Sequence, residues 1–232
     1  MTKSASPRPD WTGSAVILVP VKPSATAKQR LAAVLDQPSR TRLAQAMLHD
    51  VLAALHSWKS RPQVALVVAV VTGDPYAAEL AGKFGFEVIA DSENAGETGA
   101  IEMATRVCVE RGAASTLVIP ADIPLVEAWE LEEIMKHAPA EGSVLVPAFD
   151  RRGTNAAFRR PANFFPLCFG NDSFQPHHRA AEATGKPCVV LKLPGIAVDV
   201  DNPADLQQLI SLPGKTRAQR LARELLRSSN KG

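Results

Sequence analysis

The chain has 232 residues, of which 46% are hydrophobic and 22% are charged, and its formal net charge at pH 7 is +2. The length is enough for one sizeable α/β domain or two small ones, and the composition is ordinary for a globular protein. The small net charge gives no global electrostatic case for binding nucleic acid. Three cysteines without a CxxC pair indicate neither a disulfide framework nor a zinc site, and no apolar run reaches the length of a membrane span, so we expect a cytoplasmic protein without a membrane partner.

Apolar runs alternate with amphipathic stretches along the chain, a pattern typical of an α/β fold with a mostly parallel sheet. Residues 1–13 are predicted to be a disordered lead-in. We expect strands at 15–20, 64–72, 86–90, 115–120, 143–149 and 189–193, a short returning strand at 156–160, and helices at 38–58, 76–84, 100–111, 126–137, 179–184 and 204–210. The basic residues after 213 predict a solvated helix or tail.

A basic loop follows the first strand and carries Lys22, Lys28 and Arg30 among small residues. The glycines of a Walker loop or a dinucleotide fingerprint are absent. Because ligands of open α/β sheets bind beyond the carboxyl ends of the strands, these cations are candidates to contact the phosphates of a nucleotide. The alternative is a solvated basic loop.

Two further stretches lie where a nucleotide could bind. In the loop 91–99, Gly96 and Gly99 would let the backbone approach a base or a ribose, although a plain turn explains them as well. Asp122 comes directly after the predicted strand 115–120, a favoured place for a metal or nucleotide ligand. The alternative for Asp122 is a cap of the following helix, and both roles are compatible.

The stretch 195–205 carries the strongest chemical signal. Valines alternate there with Asp199 and Asp201 before Asn202-Pro203, which reads as a short strand with both carboxylates on one face, roughly 7 Å apart. Two such carboxylates repel unless a cation lies between them or one is protonated. Oxygen ligands of this kind suit Mg²⁺, or Mn²⁺, bound together with substrate phosphates. The alternative is a pair of surface acids.

In order and spacing these stretches resemble a known family. The shared motifs are Pro20-Val21-Lys22 with 27–31, Asp122-Ile123-Pro124, Gly153-Thr154-Asn155 with 169–174 and His177, and Pro194-Gly195 with 199–206. With them, residues 17–209 resemble the guanylyltransferases of deazaflavin coenzyme F-420 biosynthesis, which are similar in fold to GT-A nucleotidyltransferases such as the molybdenum-cofactor guanylyltransferases. In that family Gly-Leu-Asn often stands where this chain has Gly99-Ala100-Ile101, and the basic tail lies outside the pattern.

The resemblance implies a three-layer α/β/α fold with a mostly parallel sheet, of the nucleotide-diphospho-sugar transferase type. A single nucleotidyltransferase domain would span 14–212, followed by a basic helix or tail over 213–232. The implied activity is transfer of GMP from GTP to 2-phospholactate, phosphoenolpyruvate or 3-phosphoglycerate, with release of pyrophosphate. The phosphate of the acid is already an anionic nucleophile, so the reaction requires no general base.

The resemblance also implies a role for each candidate site residue. Asp122, Asp199 and Asp201 would hold Mg²⁺, or Mn²⁺, and Lys22 would join them as a catalytic residue. The nucleotide would be bound by Lys22, Lys28, Arg30, Gly96 and Gly99. The phosphorylated acid would be bound by Thr154, Asn155, Gly170 and Ser173. His177 belongs to the motif, with a helix-cap or packing role as its alternative.

Other interpretations remain open at this point. A GT-A glycosyltransferase also uses Asp-x-Asp, though usually in mid-chain, and a molybdopterin guanylyltransferase would have a glycine-rich first loop. A non-catalytic GTP-binding protein would not need three acids. The residues leave open which phosphorylated acid is used, whether GTP is preferred over ATP, and whether the protein forms a homodimer.

Overall fold

The computed structural model describes residues 9–23, 27–60, 66–91, 96–170 and 172–229. The elements, in chain order, are β1 (Ala15–Val21), a 3₁₀ turn (Gln29–Leu31), α1 (Gln37–Lys59), β2 (Leu66–Thr72), α2 (Pro75–Lys83), β3 (Glu87–Ala90), α3 (Gly96–Glu110), β4 (Ser115–Val118), α4 (Ala128–Lys136), β5 (Gly142–Pro147), β6 (Thr154–Arg160), α5 (Phe174–Glu182), β7 (Cys188–Val190), α6 (Pro203–Ser211) and α7 (Arg217–Ser229).

A seven-stranded sheet in the order β3-β2-β1-β4-β6-β5-β7 forms the centre of the molecule. Among the described strands, β6 alone runs antiparallel to its neighbours β4 and β5, and the other pairs are parallel. The predicted returning strand is therefore inserted into the middle of the sheet. Because β6 is reversed, its first residues lie at the same edge as the last residues of β1, β4 and β5.

Helices cover both faces of the sheet, as the predicted three-layer α/β/α fold requires. On one face, Ile17 and Val19 of β1 pack with α1, α2 and α4. On the other face, Val16 and Leu18 pack with α3 and α5. The apolar run of β1 is buried on both sides, which explains why it does not alternate with polar residues. The fold prediction is confirmed.

The C-terminal helix α7 packs on the outer side of α1 and α6. Ala218 and Ala222 are fully buried in a third apolar cluster, together with side chains of both helices. The carboxylate of Asp50 on α1 accepts hydrogen bonds from the backbone N–H groups of Arg217 (3.0 Å) and Ala218 (2.8 Å). The expectation of a solvated helix is wrong for this face, because small residues let α7 approach α1 closely.

The predicted lead-in 1–13 is described only from residue 9 onward. Trp11 is buried there, with the Arg111 guanidinium 4.3 Å from its ring centroid, so this part of the lead-in is packed. The boundaries of the single domain at 14 and 212 stay a prediction. Within the described ranges, no helix is long and apolar enough to cross a membrane.

Two of the differences from the predicted bounds bear on the path of the chain near the acids. Helix α5 begins at Phe174, not at residue 179, because Pro176 falls in its first turn, where a missing N–H costs no helical hydrogen bond. Strand β7 ends at Val190, not at residue 193, and it pairs with β5 over three residues only. The chain therefore leaves the sheet before it reaches the Asp-x-Asp stretch.

Candidate active site

A partly buried ion cluster lies at the sheet edge where β1 and β4 end. The Lys28 ammonium donates hydrogen bonds to Asp122 Oδ2 at 2.7 Å and to Asp201 Oδ1 at 2.8 Å. Its side chain is only 9% exposed, and its backbone has φ +54°, in the left-handed region. Lys28 is thus turned inward, and the solvated-loop alternative is wrong for this residue.

In this cluster, burial and the neighbouring charges shift the pKa of each group in opposite directions. Burial opposes the positive charge of Lys28, but Asp122 and Asp201 outweigh it and hold the pKa of the ammonium above its ordinary value. Burial likewise opposes the charge of Asp201, yet Lys28, Arg30 and Lys22 hold the pKa of that carboxyl below its ordinary value. All three predicted phosphate-binding cations therefore act on one carboxylate.

Asp199 lies beside this cluster in a different environment. Burial raises the pKa of its carboxyl to about 6, and the neighbouring charges of Asp122 and Asp201 act in the same direction. The amide of Asn155, whose Nδ2 donates to Asp199 Oδ1 at 2.9 Å, is an uncharged partner that offsets this only in part. Asp199 is therefore a carboxylate that a further cation would stabilise.

The donor set of the cluster fits a divalent cation in its chemistry. The side chains are carboxylates, the ligands that Mg²⁺ prefers. The Lys28 ammonium lies between Asp122 and Asp201, where it neutralises both as a bound metal ion would. In the part of the chain that the structure describes, no three acids, histidines or cysteines are grouped as ligands of a metal ion. A metal centre on Asp122, Asp199 and Asp201 thus stays a prediction.

The Asp-x-Asp stretch is not a strand, so that prediction is wrong. Residues 194–197 form a turn and 198–201 make no ladder, because Pro194 has no N–H to donate and Gly195 bends the chain away from β7. The predicted alternation of inward valines with acids nevertheless holds. Val198 and Val200 are buried, whereas Asp199 and Asp201 are partly exposed.

The backbone of this stretch is held by single contacts to other segments. Val200 N–H donates to the Asp122 carbonyl at 3.1 Å, which joins the two acidic segments directly. At the other end, Asp205 Oδ2 accepts from the N–H groups of Asp201 and Asn202, both at 2.9 Å. The Asn-Pro-x-Asp sequence is a helix-capping pattern that could have predicted this anchor.

Asp122 does not cap the helix that follows it. Helix α4 begins at Ala128, and the residue at its N-cap is Glu127. The cap alternative for Asp122 is therefore wrong, and its side chain is directed to Lys28.

Gly96 and Gly99 lie in the first turn of α3, not in a loop before a helix at residue 100. Gly96 has φ +78°, a conformation that favours glycine, so it marks the helix start. Residues 92–95 of the predicted loop lie outside the described residues. The N–H groups of a first helical turn have no intrahelical partner, which keeps the predicted nucleotide contact here physically reasonable.

Glu97, in the same turn, is an acid that the sequence interpretation missed. Its Oε2 lies 3.1 Å from Lys22 Nζ, and the Lys22 side chain is 66% exposed. Burial raises the pKa of Glu97, Lys22 opposes this, and the charge of Asp122 adds to it. The stretch 91–99 holds three acids, and nothing in the sequence distinguishes Glu97 from the other two.

A second, uncharged group of side chains lies at the start of β6. Thr154 N–H donates to Ser173 Oγ at 3.1 Å, and Thr154 Oγ1 lies 2.9 Å from His177 Nδ1. Because His177 Nε2 accepts from the Cys168 N–H at 2.7 Å, Nδ1 carries the proton and donates to Thr154. Burial, together with the charge of Arg159, lowers the pKa of His177 to about 4. The packing interpretation of His177 is confirmed.

The predicted acid-binding residues separate into three environments. Thr154 and Ser173 are joined as described, while the Asn155 amide turns away to Asp199 and to the Ile196 carbonyl, 3.0 Å away. Gly170 is exposed and has φ +142°, which favours glycine. Contact of these residues with a phosphorylated acid stays a prediction.

Comparisons with known proteins give the family of the chain. The model of a family described as "Guanylyl transferase CofC like" matches residues 15–230. The chain belongs to this family of guanylyltransferases. The match includes most of the basic tail, which therefore lies within the family pattern. The family membership expected from the sequence is confirmed, and the protein is an enzyme of the nucleotidyltransferase class.

Relatives and solved structures extend the comparison. A phosphoenolpyruvate guanylyltransferase from Roseiflexus castenholzii is 37% identical over 209 residues, covering 90% of this chain and 94% of its own. A 3-phospho-D-glycerate guanylyltransferase from Colwellia psychrerythraea is 35% identical over 197 residues, covering 84% and 91%. The crystal structure of a putative nucleotide-diphospho-sugar transferase from Desulfovibrio desulfuricans superposes with a TM-score of 0.73 at 20% identity, over 94% of this chain and 99% of that one, which supports the fold.

Proposed function

We propose that this protein transfers GMP from GTP to a small phosphorylated acid, with release of pyrophosphate, in coenzyme F-420 biosynthesis. Phosphoenolpyruvate is our first candidate for the acid, because relatives at 37% identity carry that name. 3-Phosphoglycerate, named in a relative at 35% identity, and 2-phospholactate are the other two. GTP as donor and a cytoplasmic location belong to the same proposal, and a homodimer stays a prediction.

The bridge that Lys28 makes between Asp122 and Asp201 carries this proposal. It brings a cation of the β1 loop, the acid after β4 and the Asp-x-Asp stretch to one point at the carboxyl edge of the sheet. Ligands of open α/β sheets bind at that edge. Phosphoryl chemistry needs such opposed charges, because two anions must approach each other and the transition state carries additional negative charge.

Each group has a role that follows from its charge. Asp122, Asp199 and Asp201 would hold Mg²⁺, which when bound supplies the positive charge that draws the phosphates together. Lys22, Lys28 and Arg30 would offset the charge of the departing pyrophosphate. The first turn of α3 would face the nucleotide with its free N–H groups. Thr154, Gly170 and Ser173 would hold the acid through neutral contacts, while Asn155 orients Asp199.

Pyrophosphate release by the purified protein tests the proposal. Reactions would contain GTP and Mg²⁺ with each of the three acids in turn, or none, and parallel reactions would contain ATP or excess chelator. We expect release with one acid, with GTP only, and none with chelator. Asp201→Asn should abolish it, whereas Glu79→Gln, an exposed acid on α2 that pairs with Lys83, should leave it unchanged.

The other outcomes contradict separate parts of the proposal. Release with ATP as readily as with GTP would overturn the donor assignment. No pyrophosphate release with any of the three acids, together with measurable GTP binding, would favour another acceptor or the non-catalytic interpretation. No pyrophosphate release and no GTP binding would contradict the assignment of GTP as the nucleotide altogether.

A further inference from the structure

Glu130 is a buried carboxylate that the proposed chemistry does not use. It lies in the first turn of α4 and has no exposed surface. Its Oε2 accepts a hydrogen bond from the Glu127 N–H at 3.0 Å, which satisfies one free N–H at the helix start. A capping contact of this kind can be made at the surface, where it does not cost the desolvation of a charge. The burial of Glu130 therefore indicates a second role.

That second role involves the turn before the Asp-x-Asp stretch. Glu130 Oε1 accepts from the N–H of Gly195 at 2.7 Å and from the N–H of Ile196 at 3.3 Å. Glu130 thus uses both oxygens, and it joins α4 to a turn 65 residues further along the chain. Hydrogen bonds from an N–H to a charged acceptor are stronger than those between neutral groups.

The fit between α4 and this turn is close enough to exclude a side chain. A Cβ on Gly195 would lie 2.3 Å from the Leu125 carbonyl oxygen and 2.4 Å from Glu130 Oε2. Contacts this short cannot be accommodated without moving the backbone. Glycine is needed here because of this close approach, and the turn is consequently held against Glu130 within a narrow range of positions.

The turn is linked to Asp199 through one side chain. The Ile196 carbonyl accepts from Asn155 Nδ2 at 3.0 Å, and the same amide donates to Asp199 Oδ1 at 2.9 Å. Asn155 is 4% exposed, so its position depends on these partners. A displacement of the Gly195–Ile196 backbone would therefore move the amide that orients Asp199.

We propose that Glu130 is a positioning residue, which holds the Gly195–Ile196 turn and, through Asn155, sets the orientation of Asp199 for cation binding. The stretch that carries the two acids makes no strand ladder, so individual anchors of this kind fix its course. The proposal rests on the proposed function in one respect, namely that Asp199 is a cation ligand. No previously predicted site residue lies on α4.

Glu130→Gln tests the proposal, because an amide has one acceptor oxygen where three N–H donors converge. Titration with Mn²⁺, followed by electron paramagnetic resonance without any substrate, measures cation affinity independently of turnover. We expect Mn²⁺ affinity to fall about tenfold or more, as observed for partners of metal ligands in general. With substrates, kcat should fall and the half-saturating Mg²⁺ concentration should rise, while the KM for GTP stays within about twofold.

Gln219→Ala provides a matched control. Gln219 is equally buried, and its amide donates to the Leu209 and Leu212 carbonyls between α6 and α7. We expect this variant to lower the Tm without changing Mn²⁺ affinity. Glu130→Asp keeps the carboxylate on a shorter side chain, so its Mn²⁺ affinity should lie between those of the wild type and Glu130→Gln. If Glu130→Gln does not fold, the Mn²⁺ affinity of Glu130→Asp tests the positioning role instead.

Three other results would each contradict a different statement. Wild-type Mn²⁺ affinity in a folded Glu130 variant with a lowered Tm would overturn the positioning role and leave a purely structural one. Failure of the wild-type protein to bind Mn²⁺ would contradict the cation site of the proposed function instead. A wild type that binds Mn²⁺ but turns over none of the three acids would leave the Glu130 result valid and contradict only the acceptor assignment.

Discussion

The two halves of the candidate site are held by different interactions, one by contacts between charged groups and the other by hydrogen bonds between neutral groups. On the side of the β1 loop, Lys28, Asp122 and Asp201 form partly buried charged contacts. On the side of β6, Thr154, Ser173 and His177 form a network in which the histidine is neutral, since its pKa is lowered to about 4. Charged groups can exchange one counter-ion for another when a ligand arrives, whereas a satisfied neutral network keeps one shape. We therefore expect charge changes to disrupt the first half most and shape changes the second.

The largest combined effect on turnover and stability is expected when the charged half loses its cation. Lys28→Met keeps the length of the side chain but leaves Asp122 and Asp201 without their ammonium partner. We expect pyrophosphate release to fall by about a hundredfold or more, as for the loss of a transition-state charge contact. The Tm of the metal-free protein should fall by roughly 5 °C, because two neighbouring carboxylates then repel each other. Added Mg²⁺ should restore part of that loss.

Differential scanning fluorimetry and the pyrophosphate assay measure both effects. Lys83→Met serves as the control, because Lys83 forms an exposed ion pair with Glu79 on α2. Exposed pairs contribute little to stability, so its Tm and turnover should match the wild type. Wild-type turnover in Lys28→Met would contradict the role given to the ion cluster.

The two acids of Asp-x-Asp should respond in opposite directions to neutralisation. Burial raises the pKa of Asp199 to about 6, above its ordinary 3.8, so its ionised form destabilises the metal-free fold at pH 7. Asp199→Asn should therefore raise the metal-free Tm by a few degrees at pH 7. The gain should shrink as the pH falls through 6 and vanish below about 4, where the wild-type carboxyl is protonated in both states. Turnover should be lost throughout.

Asp201→Asn provides the comparison. The pKa of Asp201 is lowered, so its ionised form stabilises the fold above the unfolded-state pKa, and neutralisation should lower the Tm at pH 7. Thermal unfolding of both variants and the wild type from pH 3.5 to 8, in chelator, measures the difference. A lowered Tm for Asp199→Asn at pH 7 would show that the negative charge of Asp199 is already compensated in the metal-free fold, and would contradict this prediction.

The sheet was predictable from sequence because its strands are apolar and its helices are periodic. Val16 to Val19 are all buried, and such a run has few alternatives to a central parallel strand. The acids at the edge were also predictable, since Asp122 follows a strand and Asp199 and Asp201 alternate with valines. In both cases the signal lies within a few neighbouring residues.

The remaining contacts depend on residues that are distant in sequence. Asp199 and Asp201 were expected on a strand, but pairing depends on where β5 runs, and β7 ends at Val190 before it reaches them. Asn155 was expected to bind the acid, yet its amide partner is Asp199, 44 residues away. Glu97 and Glu130 were not predicted, because an isolated glutamate in a helix is usually solvated. Only the packed fold shows that Glu130 is fully buried and that Glu97 is partly buried beside Lys22.

The smallest effect is expected where the two halves of the site are joined. Thr98 Oγ1 accepts from the Phe169 N–H at 2.9 Å and donates to its carbonyl at 3.2 Å, which ties the first turn of α3 to the loop before α5. Thr98→Val removes both hydrogen bonds at nearly constant volume, a loss of about 1 kcal/mol that corresponds to roughly fivefold in an equilibrium. We expect the KM for the phosphorylated acid to rise about fivefold.

Steady-state kinetics with each substrate varied separately measures this effect. Because the contact is between neutral groups, the rise in acceptor KM should be the same at low and high salt, unlike the effects in the charged half. Thr184→Val is the control, since the Thr184 hydroxyl likewise donates to a carbonyl, that of Ala181, and accepts from an N–H, that of Lys186, but joins only residues next to one another at the end of α5. Both KM values should stay at the wild-type level. An equal rise in the KM of GTP and of the acid in Thr98→Val would mean that this contact supports the whole edge of the sheet, and the separation into two halves would then fail.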